Sequence, residues 1–274
     1  MKKALGCVVG AWIAVSVDAA TLHRETLRAF DRYVELTERR IEDELESDDG
    51  FLVQDFLPPA QAEEAGRVVS EGDVYTAKLV TTDGDGSPID VPDGMVHHWV
   101  GGVFVPGVGL DELVRWIQDY DEHHRYFDEV EASRLVSHDG DEFSIYLRLR
   151  RKKIVTVYYN TEHTVRFRRQ AEGRVTSRSY STRIAELAAA GTEAEREKSI
   201  AEDRGFLWRL NSYWRFKEED GGVLVECESV SLSRSVPLGF RWIVGRYLDS
   251  VPRESLRATL APIRDAHESI GNEE

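Results

Sequence analysis

The chain has 274 residues, 41% hydrophobic and 31% charged, so it can bury a substantial core and is no disordered polymer. Acidic residues outnumber basic ones 50 to 35, a formal net charge of -15, which excludes a nucleic-acid binder and disfavours an anionic membrane surface. The two cysteines, Cys7 and Cys227, form no CxxC pair, so neither a zinc ribbon nor a redox dithiol can be assembled.

Residues 1–20 have the form of a secretory signal: Lys2 and Lys3, a weakly polar run from Ala4 to Val17, then small residues at Val17-Asp18-Ala19-Ala20. The run is shorter than the roughly 20 residues a spanning helix needs. The expectation is an exported protein, periplasmic or in the cell envelope, with no stable membrane span after cleavage; retention as a short anchor is the alternative. Cleavage leaves Cys227 as a single thiol, so no intrachain disulfide is expected.

From Leu22 to Leu45, the residues Leu27, Phe30, Val34, Ile41 and Leu45 recur at helical steps, which predicts an amphipathic helix. Packing on the body of the protein is its ordinary role, and a dimer through the 21–47 helix is the sharper one. Ser47-Asp48-Asp49-Gly50 ends it, and Pro58-Pro59 with the Ala/Glu-rich stretch beyond reads as a linker carrying one short helix. Val74 to Thr82 reads as a strand closed by Asp83-Gly84-Asp85-Gly86-Ser87. That turn resembles the opening of a calcium loop but lacks the bidentate acid at its end, so no metal is expected there.

Met95 to Val105 is an apolar strand, ended by Pro106-Gly107 before a helix with Leu110, Leu113, Val114 and Ile117 on one face. Asp111 and Glu112 sit in its first turn, where the helix dipole favours negative charge. Gly107-Val108-Gly109 lacks the third glycine and the βαβ context of a nucleotide loop. From Glu131 the period becomes two, with strands through Phe143–Leu149, Val155–Phe167, Val175–Ile184, Phe206–Phe216 and Val223–Leu232. Short turns such as Asp139-Gly140-Asp141 and Asp220-Gly221-Gly222 make the sheet antiparallel, and Glu186 to Arg204 is a polar insertion. Ser235-Val236-Pro237 and Ser250-Val251-Pro252 each start a helix, a short one and then a longer one that Pro262 kinks or ends.

With the apolar alternation taken as inward, the inner positions include Tyr159, Thr161, His163, Ser177, Ser179, Ser181, Ser212, Trp214, Cys227 and Ser229. Such small, mildly polar residues leave room for a pocket whose hydroxyls could orient a largely apolar ligand. Arg148, Arg150, Arg166, Arg168, Arg209, Arg215, Glu226 and Glu228 then face outward, expected as a solvated face of weak cross-strand pairs. No G-x-S-x-G, H-E-x-x-H or C-x-x-C occurs, and His124 with Asp128 finds no third and fourth ligand, so neither metal nor cofactor is expected.

The element order is strand, helix ending at Asp119-Tyr120 and Tyr126-Phe127, antiparallel strands and a long terminal helix. Over residues 95–267 it resembles the START-like, or SRPBCC, superfamily of Bet v 1-like helix-grip proteins. The runs His97-His98-Trp99, Phe206-Leu207-Trp208-Arg209-Leu210-Asn211-Ser212-Tyr213-Trp214 and Pro252-Arg253-Glu254-Ser255-Leu256 are similar to those of a bacterial branch of it. The resemblance implies an α+β fold, a curved antiparallel sheet wrapped around a long C-terminal helix. It divides the chain into signal (1–20), helical extension and linker (21–70), strand and turn lead-in (71–94) and helix-grip domain (95–270).

It further implies an exported carrier or sensor of a hydrophobic small molecule, such as a lipid, quinone or polyketide-like compound, held between sheet and helix. Tyr159, Thr161, His163, Ser179, Ser212, Trp214 and Cys227 would line that cavity, with the terminal helix as lid. The alternatives are a cyclase-, aromatase- or lyase-like enzyme in which His163 or Tyr159 moves a proton, and an envelope protein-interaction module.

Overall fold

The computed structural model describes residues 22–152, 155–235 and 241–271, with side chains of the last segment placed for 251–267. The expected signal at 1–20, Cys7 and the helix start at Val236-Pro237 lie outside the described residues.

Alternating apolar residues build one antiparallel sheet from β1 (Tyr75–Lys78), β2 (Gly94–Pro106), β3 (Val130–Asp139), β4 (Glu142–Lys152), β5 (Thr156–Ala171), β6 (Arg174–Ala188), β8 (Arg209–Glu219) and β9 (Gly222–Arg234). Their order is β1-β2-β9-β8-β6-β5-β4-β3, and β7 (Arg196–Glu197) pairs only with β6. Helices α3 (Leu110–Gln118) and α4 (His123–Tyr126) connect β2 to β3, and α5 (Arg241–Gly271) follows β9. With β1 and β7 set aside, the first strand lies beside the last and the sheet counts back from there, which is the helix-grip order.

The inner face carries Val103, Val105, Phe143, Ile145, Val165, Phe167, Phe216, Val223 and Val225, closed by Leu113 and Ile117 of α3 and by Leu256, Leu260 and Ile263 of α5. Contrary to expectation, residues 241–271 form one uninterrupted helix with Pro252 and Pro262 inside it. Each proline removes an intrahelical hydrogen bond. Burial of Leu256, Leu260 and Ile263 offsets that loss, at roughly 1.5–3 kcal/mol for each large apolar side chain.

Two further stretches differ from the sequence reading. The expected linker is packed: α2 (Pro59–Ser70) buries Ala65 and Val69 against Tyr75 and Val100. The expected polar insertion begins later than Glu186, because β6 continues to Ala188. Beyond it the chain folds back through β7, and the buried Glu186 carboxylate binds Lys198 and accepts the Arg204 N–H at 2.8 Å.

The outer face is where the sequence reading fails most. Helix α1 (Arg24–Glu46) lies across it and buries Thr26, Phe30, Tyr33, Thr37, Ile41 and Glu44, steps of four and three that trace one stripe. Phe30, Tyr33 and Ile41 pack on Trp208, Tyr213, Val230 and Leu232. The apolar side that a dimer seam would use is therefore occupied by this chain's own sheet. Residues Val53–Phe56, a single 3₁₀ turn, continue the cover over Tyr75, Val100 and Leu224.

Under this cover Arg215, Glu226 and Glu228, expected in solvent, are 2%, 0% and 0% exposed. The correction has a simple cause: alternation of apolar with charged residues reports two faces but not what covers the second. Buried charge is tolerable only when it is paired and hydrogen-bonded; each of these three groups has charged or polar partners, although Glu228 Oε2 itself finds none among the described residues. Arg215 binds Glu44 of α1 and donates to the Phe51 carbonyl at 2.8 Å. Glu226 accepts from the Val53 and Gln54 backbone N–H groups and from the Tyr75 hydroxyl.

A chain of hydrogen bonds holds Glu228: Thr81 N–H donates to the Tyr33 oxygen at 2.8 Å, the Tyr33 hydroxyl pairs with His98 Nδ1 at 2.9 Å, and His98 Nε2 pairs with Glu228 at 2.7 Å. Arg40 of α1 binds the same carboxylate oxygen. Tyr75 reaches its place because β2 has glycine opposite: a Cβ on Gly102 would stand 2.3 Å from Tyr75 Cε1. Arg148 and Arg166, by contrast, behave as expected and pair with Glu131, Glu195 and Glu142 nearer solvent.

The two buried glutamates respond oppositely to pH. Burial is the largest influence on both, yet bonds from His98 and the Arg40 charge hold Glu228 below its ordinary value, while Glu226 is pushed up to about 7. A raised folded-state value means that the Glu226 contribution is complete below its ordinary value of 4.5 and is lost as pH rises through about 7. Urea unfolding of wild type and Glu226→Gln at pH 5 and pH 8 tests this. The stability advantage of wild type over the variant shrinks between the two, and an equal advantage at both would contradict the assignment.

Candidate functional site

Cross-strand register brings part of the expected site together. Trp99 on β2 lies opposite Ser229 on β9, Ser229 opposite Ser212 on β8, Ser212 opposite Ser179 on β6, and Ser179 opposite Val165 on β5. Directly opposed residues point to the same face. Trp99 and Val165 belong to the inner core, so the whole row is inward. The next row, one pleat along, runs Gly101, Cys227, Trp214, Ser177 and Phe167.

Ser179, Ser212, Trp214 and Cys227 are thus neighbours in two adjacent rows. On β5, His163 is diagonal to Ser179, whereas Tyr159 stands apart from the group. Thr161 donates to the Leu147 carbonyl at 3.1 Å, which directs its only proton away, so His163 donates to Thr161 Oγ1 from Nε2 at 3.0 Å. His163 lies opposite Ser181 and lines a cleft of about 310 Å³ with Arg134, Tyr146 and Glu162. Tyr159 lies opposite Glu186 and packs in a separate cluster with Leu149 and Val157.

The inner wall is not uniformly dry. Ser179, Ser212, Ser229 and Trp214 are half-buried, whereas Cys227 is 3% exposed and its thiol is pushed up by burial. None of the three serine hydroxyls has a hydrogen-bond partner among the described residues. Trp214 is parallel to Phe216, with ring planes 5° apart and centroids at 6.0 Å. Trp99, which sequence reasoning did not place in the site, is 8% exposed and its indole N–H has no partner. The signal for it was present in β2, where Trp99 shares parity with Val103 and Val105.

A second cleft, of about 460 Å³, is lined by His124, Asp128, Glu131, Arg148 and Arg150. Among the described residues no cluster of three or more His, Cys, Asp or Glu side chains is placed to hold a metal ion. No helix among them is long and apolar enough to cross a membrane.

No family model matches the chain, and no curated protein matches it. Solved structures do. The STAR-related lipid transfer protein (fragment 25–204) from Xanthomonas axonopodis is 16% identical, covering 64% of this chain and 96% of that one, with a TM-score of 0.43. The Zhui aromatase/cyclase from Streptomyces sp. R1128 is 11% identical, over 64% and 94%, also at 0.43. Human STARD10 is 10% identical, over 76% and 80%, again at 0.43. The strand order and the terminal helix against the inner face decide the matter. The fold is a helix-grip fold. In this chain α1, the 3₁₀ turn and α2 add a layer on the outer face of the sheet.

Burial lowers His163 to about 4, so the imidazole is neutral at neutral pH. A depressed histidine contributes stability that is present above its ordinary value of 6.5 and lost as pH falls from there toward about 4. In a nitrogen-detected NMR titration of the imidazoles, His163 keeps its neutral-ring shifts from pH 7 down to pH 5. A midpoint near 6.5 would place the ring in water instead.

Proposed function

We propose that this chain binds a largely apolar small molecule on the inner face of the sheet, beside α5, as a carrier or sensor. The observation that carries the reading is the indole N–H of Trp99, without a partner among the described residues, at the end of a row of half-buried serine hydroxyls that find none among them either. Buried polar groups in folded proteins are paired. A donor left without a protein partner beside apolar surface is how ligand sites are built: mostly hydrophobic walls with a few directing polar groups. Val165 and Phe143 on one side and Trp214 on the other supply the apolar wall.

The same proposal takes residues 1–20 as an export signal and has this binder act outside the cytoplasm. An enzymatic reading with His163 and Tyr159 as proton carriers has less support, because His163 Nε2 is engaged by Thr161 and Tyr159 packs in a different cluster. Native mass spectrometry of the purified chain tests the binding reading. It expects a bound apolar species, and a rise in melting temperature when lipids or quinones are added to stripped protein. A consistently empty protein that no such compound stabilises would overturn it.

A further inference from the structure

The outer layer leaves part of the sheet's outer face open. Helix α1 reaches as far as Tyr180 of β6, whose hydroxyl donates to Glu38 at 2.8 Å. On the other side the chain around β7 ends its cover at Asn160 and Arg183, both bound by Glu197. Thr164, directly opposite Tyr180, and Glu162, directly opposite Arg183, line the cleft of about 310 Å³ that remains between them. That volume lies at the lower end of the roughly 300–1,000 Å³ range of small-molecule sites.

Two β-bulges converge on this cleft. In β3, Leu135 lies opposite Ile145 and Ser137 opposite Ser144, which leaves Val136 with no opposite residue. In β6, Arg183 lies opposite Glu162 and Ser181 opposite His163, which leaves out Thr182. Val136 and Thr182 both line the cleft. A bulge breaks the ladder locally and re-aims side chains, and bulges are over-represented beside functional sites. On the edge strand β3 a bulge also guards against edge-to-edge pairing, but β6 lies between β8 and β5 in the sheet.

The lining side chains form two rows. Ser137, Ser144 and Thr164 stand directly opposite one another on three strands, and Thr182 adds a fourth hydroxyl. None of the four has a hydrogen-bond partner among the described residues. One pleat along, Arg134, Tyr146, Glu162 and Arg183 make the second row. The Arg134 guanidinium stands 4.7 Å from the centre of the Tyr146 ring and has no carboxylate partner among the described residues. Two strands away, Glu162 is 3.5 Å from Arg183. The cleft thus has a cationic end on β3 and an acidic end on β5, about 10 Å apart at a strand spacing of about 4.8 Å.

We propose that this cleft binds a small hydroxylated oxyanion, an acid or a phosphate ester, with the anion at Arg134 and ligand hydroxyls donating to Glu162. A planar guanidinium held over an aromatic ring is preorganised to donate two parallel hydrogen bonds to an oxyanion. Serine and threonine hydroxyls both donate and accept, which suits a polyol. The site lies on the face opposite the apolar one, so neither proposal depends on the other.

Isothermal titration calorimetry of the full chain with glucose 6-phosphate, gluconate, glucose and inorganic phosphate tests it. Glucose 6-phosphate, gluconate or both bind with a Kd of about 1 mM or below. The tighter of the two identifies the preferred anion. Glucose lacks the anion and inorganic phosphate lacks the hydroxyls, so each binds at least about tenfold more weakly. Arg134→Gln weakens the tighter ligand about tenfold and Ser144→Ala about threefold, the scales of a charge-assisted and a neutral hydrogen bond. Arg166→Gln changes the net charge equally from a position outside the cleft and leaves affinity within about twofold of wild type. All three substituted residues are exposed or half-buried, so the variants keep the wild-type melting temperature. No binding of either hydroxylated anion, glucose or inorganic phosphate binding as tightly, or an equal loss in Arg166→Gln and Arg134→Gln would each overturn the proposal and leave the apolar-binding reading untouched.

Discussion

Strand β9 is buried on both faces, and the rest of the molecule is arranged to satisfy it. Its inward residues, Val223, Val225 and Cys227, meet Leu256, Leu260 and Ile263 of α5 in the core. Its outward residues include Glu226 and Glu228, neither of them exposed. A carboxylate taken out of water without partners costs several kcal/mol, so the outer layer has to supply them. Arg40, His98, Tyr75 and two backbone N–H groups of the 3₁₀ turn bind these carboxylates, and Arg215 on β8 is held in turn by Glu44. The N-terminal segments are therefore bound to the sheet by polar contacts as well as by Phe30, Ile41 and Leu52.

This explains which parts of the fold were legible in the sequence. Strand alternation from Phe143 to Leu232 and the turns between strands depend on local pattern, and the observed strands follow it closely. What covers a face depends on residues far away in sequence: Glu44 meets Arg215 across 171 positions and Arg40 meets Glu228 across 188. Helix α1 was found from Leu27, Phe30 and Val34, yet its buried stripe contains Thr26, Tyr33, Thr37 and Glu44. A search for apolar periodicity cannot see polar members of a buried stripe. Pro252 misled for a related reason, since local breaking tendency was outweighed by packing further along the helix.

The candidate site divides in the same way. Ser179, Ser212, Trp214 and Cys227 followed from alternation on single strands, and register then set them side by side. His163 and Tyr159 also face inward, but register aligns them with Ser181 and Glu186, which leaves His163 diagonal to Ser179 and Tyr159 remote from that group. Trp99 shares parity with Val103 and Val105, but β2 is buried on both sides of its middle, with Val100 on one side and Val103 on the other. Which of the two sides faces inward is set by the neighbouring strand, here by the pairing of Trp99 with Ser229.

The two faces of β9 are consequently not independent. Cys227 and Ser229 flank Glu228 along one backbone, so the contacts that fix Glu226 and Glu228 outside also fix the position of the inner serine row. A hydroxyl whose backbone is already held loses little freedom when a ligand binds it, and affinity depends on such preorganisation more than on area. The buried charges beneath α1 meet their partners in this register, and a slip of one residue would carry both carboxylates to the inner face.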